Sequence, residues 1–321
     1  MRALLGVACI GAAIAMGSLA TAQSFPSKSV RFIIPFAPGG GNDIIGRAIA
    51  AKLSEQWKQQ MIVDNRPGAG GNVAGEITAR AAPDGYTVFQ FNIANVIAAS
   101  LYPKLSYDPV RDFEPVTQIG SSPFLVTVHP TLRANNMREL IALAKAQPTL
   151  LNYGSSGNGG ATHLATELFK AMAGVSMTHV PFGGAGPSVT ALMSGQVQVL
   201  LMVPLTAQAH VKAGRLRALA VTSAQRSKLM PELPTVAESA VAGYASNTWY
   251  GVVVPARTPA QIVTQLNRDI VATLSHADMR ERMSNQGIEL VAGTPQEFAR
   301  FILAELPKWA QAVKASGARV D

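Results

Sequence analysis

The sequence predicts an α/β protein built as two domains, and three observations carry that reading. Short apolar stretches alternate with helix-patterned segments almost throughout, which points to strands layered with helices in largely parallel sheets. Roughly 300 residues follow the N-terminal segment, more than one hydrophobic core usually organises. One unit also occurs twice. Ile33-Ile34-Pro35-Phe36 runs into Ala37-Pro38-Gly39-Gly40-Gly41, and His179-Val180-Pro181-Phe182 runs into Gly183-Gly184-Ala185-Gly186. A strand, Pro-Phe, a glycine loop and a helix in each half fit two domains facing one another across a cleft. Coincidence in a glycine-rich chain is the competing explanation.

Residues 1–22 read as an export signal. Arg2 precedes an apolar run over 3–16, and Ala20-Thr21-Ala22 supplies small residues for cleavage before Gln23. A membrane anchor is the alternative, but the stretch is interrupted by Gly and Ser and ends in a cleavage pattern. The single cysteine, Cys9, lies inside it, so the mature chain is expected to have no disulfide, no thiolate metal site and no lipid anchor. Beyond it no apolar run approaches 18 residues, and 48% hydrophobic with 14% charged residues describes a well-packed protein, soluble in the periplasm after export. The net charge of +8 does not point to nucleic acid, because Lys and Arg are scattered singly with no basic run or aromatic stripe. A field that draws in anionic solutes and a merely solvated basic surface both fit.

Taken in order, strands are expected at 30–35, 61–64, 86–91, 124–128, 151–153, 178–181, 197–202, 216–222 and 249–254. The helix after the first strand places Ile44, Ile45, Ala48, Ile49, Leu53 and Trp57 on one face, with Asn42 as its expected N-cap. Thr258-Pro259-Ala260-Gln261 and Thr294-Pro295-Gln296-Glu297 read as capping boxes with Pro at the first helical position.

Glycines after a strand let backbone approach a ligand, and the helix that follows presents unpaired N–H groups, so an anion is the natural guest. Each dipole contact contributes only about 0.3–1 kcal/mol at exposed sites, so several donors must converge in a cleft. Three segments qualify: the loop with Phe36, Pro38, Gly39, Gly40, Asn42 and Asp43; the loop with Ser155, Ser156, Asn158, Thr162 and His163; and Phe182, Gly183, Gly184 and Ala185. Asn92, after the 86–91 strand, joins the ligand-contact candidates. The bland alternative for the middle loop is an ordinary turn whose Ser and Asn only cap the helix. Asp43, a carboxylate beside an anion site, is read as a brace for its loop. His163 is read either as a donor to a carboxylate or as a helix-surface histidine bonded to nearby backbone.

Enzyme and metal signatures fail. Asn158 stands where a nucleophile elbow needs its final glycine, no glycine run leads into Lys-Ser or Lys-Thr, and 68–73 breaks the dinucleotide fingerprint. The mature histidines, at 129, 163, 179, 210 and 276, form no i, i+4 pair. No metal and no cofactor are expected.

At these residues the chain resembles the extracytoplasmic receptors of the tripartite tricarboxylate transporter family, the Bug-type proteins. The resemblance is carried by Val30-Arg31-Phe32-Ile33-Ile34-Pro35-Phe36-Ala37-Pro38-Gly39-Gly40-Gly41-Asn42-Asp43, Asn65-Arg66-Pro67-Gly68-Ala69-Gly70-Gly71-Asn72, Ala82-Pro83-Asp84-Gly85-Tyr86, Leu151-Asn152-Tyr153-Gly154-Ser155, His163-Leu164-Ala165 and the segment 213–222. It implies a type II periplasmic-binding-protein fold, with domain 1 from 23–123 and 248–321, domain 2 from 124–247, and two crossovers between them. It further implies a monomer that closes on one small carboxylate and hands it to the membrane permease subunits of such a transporter. The sequence departs from the family at Met202 and Val203, where many relatives carry an acidic residue and Asn. Met202 is read as a ligand contact, which favours a dicarboxylate or aromatic acid without an amine. Two other readings use the same residues: a hydrolase or lyase acting through Ser155 or Ser156 with His163, and a sensor that signals to a membrane protein.

Overall fold

The computed structural model describes residues 25–39, 41–148 and 150–319. The export signal, its cleavage point and Gly40 lie outside the described residues. The first part of the chain forms β1 (Val30–Ile34), α1 (Gly41–Trp57), β2 (Met61–Asn65), α2 (Asn72–Ala79), β3 (Thr87–Asn92), α3 (Ile93–Leu101) and β4 (Phe113–Pro123). A second run follows with β5 (Leu125–Val128), α4 (Met137–Ala146), β6 (Asn152–Ser155), α5 (Ala161–Ala173), β7 (Thr178–Pro181), α6 (Ala185–Met193), β8 (Val199–Met202), α7 (Pro204–Lys212), β9 (Arg217–Val221) and α8 (Val236–Ser239). The chain closes with β10 (Asn247–Pro255), α9 (Ala260–Ser275), α10 (Ala277–Asn285), β11 (Glu289–Leu290) and α11 (Pro295–Ser316).

Two sheets result, of order β11-β4-β10-β3-β1-β2 and β7-β6-β8-β5-β9. Each centres one lobe, and the chain changes sheet between β4 and β5 and again between β9 and β10. The two crossings are stitched together at Thr222. Its hydroxyl accepts from Phe124 N–H at 2.8 Å and donates to the Ser246 carbonyl, while its own carbonyl accepts from Ser246 N–H at 2.8 Å.

The expectation of largely parallel sheets is corrected. Among the described residues four pairings are parallel (β1–β2, β1–β3, β6–β7, β6–β8) and five antiparallel. The strands next to each crossover, β4, β5, β9 and β10, run against their neighbours because the chain enters and leaves each sheet there. The nine expected strands are present within two residues of their expected bounds, but β4 and β11 were not foreseen. β4 hides behind Pro115 and a polar run from Thr117 to Ser122. Pro115 lacks a ladder N–H and falls beside a register shift against β10, where the loss of a donor is absorbed.

Two of the three cap assignments also change. α1 begins at Gly41, so Asn42 lies in its first turn and is not the N-cap. α9 begins after Pro259, and the Thr258 hydroxyl donates to the Pro255 carbonyl at 2.7 Å instead of capping. The third stands: Thr294 and Glu297 form a reciprocal box at the start of α11.

α11 joins the lobes. Its buried face, Phe298, Ile302, Glu305, Trp309, Ala312 and Val313, repeats at helical spacing and packs on α3 and β4 of the first lobe and on α5 of the second. The tip of the Phe298 ring abuts β10 because residue 251 is glycine: a Cβ there would sit 2.1 Å from Phe298 Cζ. The buried Glu305 carboxylate accepts from Trp249 Nε1 at 3.1 Å, Trp309 Nε1 at 2.8 Å and Lys308 Nζ at 2.8 Å. With its charge paired and its oxygens bonded, it fixes α11 to the sheet without an orphaned charge.

Candidate functional site

Between the lobes lies a cavity of about 350 Å³. From the first lobe it takes Phe36 after β1, Asn42 in the first turn of α1, Asn92 and the first turn of α3, and Thr248 and Tyr250 from β10. From the second lobe it takes the backbone-rich stretch Ser156, Gly157, Asn158, Gly159, Gly160 and Ala161, which leads from β6 into α5. Three helices, α1, α3 and α5, thus begin at its walls, and their first-turn N–H groups have no partners within their own helices. Among the described residues no Asp, Glu, Lys, Arg or His lines it. One side is apolar, made by Ile93, Ile97, Leu101 and Tyr102.

The polar side is held from behind. Asn92 caps α3, its Oδ1 accepting from Ala94 N–H at 2.9 Å, while its own N–H donates to Asn95 Oδ1 at 3.1 Å. Asn95 in turn donates to Tyr107 Oη at 3.2 Å, and Tyr107 donates to Asn72 Oδ1 at 2.9 Å. Burial pushes the Tyr107 phenol up to about 12, with only partial relief from Asn95, so it stays protonated and keeps its donor role. With its backbone and Oδ1 engaged, Asn92 has Nδ2 left for the cavity, and its nearest acceptor is Asn42 Oδ1 at a long 3.4 Å.

Asp43 faces away from the cavity. Its carboxylate accepts from Gly39 N–H at 2.9 Å, Arg47 Nε at 2.9 Å and Asn65 Nδ2 at 3.0 Å, tying the 36–43 loop to α1 and β2. Burial alone would raise its carboxyl, but these hydrogen bonds, with the Arg47 charge, outweigh burial and hold it below the ordinary aspartate value. Pro38 and Gly39 sit on the exposed outer part of this loop and do not reach the cavity wall.

The second loop divides its labour. Ser156 and Asn158 line the cavity, but Asn158 Nδ2 is spent on the Arg319 carbonyl at 3.0 Å, and Thr162 Oγ1 accepts from Ser156 N–H at 3.2 Å and braces the turn. Ser155 is fully buried with its hydroxyl 2.7 Å from His179 Nε2, and also bonds the Gly157 carbonyl at 3.0 Å. Alternation along a strand explains this, because Ser155 shares the Tyr153 face of β6, which packs under α5. His163 is not a cavity donor either. Its Nδ1 accepts from Gly159 N–H at 3.0 Å, and its ring stacks on His179 with centroids 3.8 Å apart. Burial first, then the neighbouring His179 and Lys170, push His163 down to about 3, so it is neutral with the proton on Nε2. His163 therefore holds Gly159 in place, and Gly159 is what faces the cavity.

Two further expectations are corrected. Met202 is buried in the second-lobe core against Leu125, Leu200 and Val221 and does not line the cavity, because it ends β8 on the face covered by α6 and α7. The loop of Phe182, Gly183, Gly184 and Ala185 follows the edge strand β7, and none of the four lines the cavity; Phe182 packs beside Gly154 instead. Sequence reasoning had missed the apolar wall of α3, along with Thr248 and Tyr250. The signal was present in the i, i+4, i+8 spacing of Ile93, Ile97 and Leu101, which reads equally well as core.

Two lobes joined by paired crossovers and α11, with helix N-termini converging on an uncharged cavity between them, define a two-lobe solute receptor. The chain belongs to the family described as tripartite tricarboxylate transporter family receptor, TctC, whose profile matches residues 45–318, and which comprises periplasmic solute-binding proteins. Protein BugT of Bordetella pertussis is 33% identical over 319 residues, covering 98% of each chain. Among solved structures, Rpa4515 of R. palustris with adipate has a TM-score of 0.81 and 36% identity, covering 92% of this chain and 99% of its own. MatC (Rpa3494) from Rhodopseudomonas palustris with bound malate has a TM-score of 0.78 and 29% identity, covering 90% and 100%. The protein is therefore a solute receptor and not a hydrolase, in keeping with a Ser155 hydroxyl turned away from the cavity.

Proposed function

We propose that this receptor binds one small carboxylate, a dicarboxylate or an aromatic acid without an amine, and delivers it to the membrane permease subunits of a tripartite tricarboxylate-type transporter. It acts as a monomer in the periplasm after cleavage following Ala22. Residues 23–123 with 248–321, and 124–247, work as two domains that close on the solute, which favours the closed state because it touches both.

The observation that carries this reading is the wall chemistry of the interlobe cavity: the starts of α1 and α5 and the amides of Asn42 and Asn92 around a space with no charged side chain among the described residues. Donors without a cation suit a carboxylate, whose oxygens accept several N–H bonds at once. An ammonium would lack a counter-charge there, and this replaces Met202 as the reason to expect no amine. The apolar side offers a surface for a carbon body, and the two related receptors carrying adipate and malate make carboxylates the class to test first.

A thermal-shift panel of mono-, di- and tricarboxylates, amino acids and sugars tests it. A solute present at 100 times its dissociation constant stabilises the folded state by about 2.7 kcal/mol. Carboxylates should raise Tm and amino acids should not; a shift produced only by uncharged or cationic solutes would overturn the assignment.

A further inference from the structure

The α3 wall is ordered along its length. Asn92 caps the helix, and Ile93, Ile97 and Leu101, four residues apart, form one stripe along the cavity. From Ile93 to Leu101 the helix advances about 12 Å at ~1.5 Å per residue. The cavity is therefore a trough along α3, polar at Asn42 and Asn92 and apolar beyond. At its far end it meets the other lobe. A Cβ built on Gly159 would lie 2.4 Å from Leu101 Cδ2 and 3.3 Å from Cδ1, so the leucine rests on the Gly159 backbone with no space between. Gly159 stands just before α5, whose N-cap Gly160 brings no side chain to its first-turn N–H groups. The apolar trough thus has donors at both ends and a leucine closing the second.

We propose that Leu101 is the specificity-determining residue of this cleft: a stop that sets the chain length of a linear α,ω-dicarboxylate lying along α3. One carboxylate is held by Asn42 and Asn92, and the other by the start of α5. The inference rests on the carboxylate reading above and narrows it from carboxylates in general to straight diacids of limited length. Dimensions agree. An extended chain gains roughly 1.2 Å per bond, so a six-carbon diacid with a hydrogen bond of about 2.9 Å at each end reaches roughly 12–14 Å, close to the length of the stripe. A monocarboxylate leaves one set of donors unserved, and a longer diacid collides with Leu101.

The test is a set of calorimetric dissociation constants for the straight α,ω-diacids of four to ten carbons, measured on the wild-type receptor, Leu101→Ala and Leu101→Phe. The wild type should prefer lengths near six carbons. Leu101→Ala should move the optimum upward, improving longer diacids relative to shorter ones by about fourfold per methylene newly buried, and Leu101→Phe should move it downward. Leu101→Val, one methylene smaller, should move it up by about one carbon and serves if neither of the others folds. An optimum unmoved in the variants that fold, or monocarboxylates bound as tightly as diacids, overturns the length stop while leaving carboxylate binding intact. No binding of any carboxylate by the wild type refutes the carboxylate reading itself, and the length stop with it.

Discussion

Gly159 is one of the points where the two lobes touch, beside the packing of α11 and the Ser227–Glu289 hydrogen bond, and replacing it by alanine separates closure from folding. Residue 159 has φ +70°, so a side chain there adds backbone strain of roughly 1 kcal/mol in the open and closed states alike. The new methyl would also sit 2.4 Å from Leu101 Cδ2. Ordinary carbon–carbon contact is near 3.5 Å, so one wall must retreat by about 1 Å. Leu101 is only 7% exposed and packed in the core, so it has little room to turn aside. Overpacking of this kind costs about 1–3 kcal/mol, and carried by the closed state alone it weakens binding roughly 5- to 150-fold. Isothermal titration with the strongest diacid of the panel should show that loss, while urea unfolding without ligand should show only the backbone strain. Adding Leu101→Ala removes the atom that collides, so the double variant, titrated with the diacid that Leu101→Ala alone binds best, should bind it about tenfold better than Gly159→Ala does. Affinity within twofold of wild type for Gly159→Ala, or a double variant no better than the single, would show that the lobes do not close on this contact.

Three further outcomes follow from the geometry. Asn92→Asp keeps the oxygen that caps α3 but brings a like charge to the anion, so Tm without ligand should hold while affinity falls more than about 100-fold; equal affinity in the titration would remove Asn92 from the site. Asp43→Ala takes one acceptor from the Gly39 N–H, Arg47 and Asn65, of which Asn65 keeps the Phe36 carbonyl and the exposed Arg47 keeps Asn65, and should cost about 1–2 kcal/mol at neutral pH. Because the Asp43 carboxyl is held below its ordinary value, its contribution is present above that value and is lost as pH falls through the depressed one. Urea unfolding of both proteins should therefore show the deficit closing in acid, and a deficit constant down to low pH would contradict the brace. His163 is depressed to about 3, so the unfolded chain takes up its proton first. This group should leave stability unaffected above pH 6.5 and alone remove up to about 1.4 kcal/mol per pH unit between 6.5 and 3, beside a further loss from the stacked His179, which burial also lowers. His163→Asn, whose oxygen can stand in for Nδ1 beneath Gly159, should flatten that limb, and an unchanged slope would place the acid sensitivity elsewhere.

Much of this architecture is legible in the residues. Val30 to Ile34 and the apolar face of α1 announce a strand and the helix that covers it, and Thr294 with Glu297 announces α11, because these signals are local. β4 was hidden because its burial comes from neighbours on both sides, so polar residues such as Thr117 and Gln118 sit in a central strand without breaking it. In the site, Ser156, Asn158, Asn42 and Asn92 were identifiable as polar groups at helix starts. Ser155 and His163 belong to the same loop, but only the pairing of Tyr153 with His179 shows that they point beneath it. Met202 illustrates the converse: a substitution against the pattern of relatives says that a residue differs, while only its place in β8 says that it is core. The α3 wall escaped because an apolar stripe facing a cavity and one facing a core have the same spacing.

Recognition of charge by uncharged donors is tested most directly by removing the charge from the solute and keeping its shape. Calorimetric titration of the receptor with the best-binding diacid and with its primary diamide, which is neutral and of the same size, makes that comparison. A cleft built from helix starts and side-chain amides should bind the diacid and bind the diamide at least about 100-fold more weakly, since at each end a charged acceptor oxygen is replaced by a neutral N–H2 donor. Equal affinity for the two would mean that the apolar wall alone selects the solute and that the cleft is not an anion site.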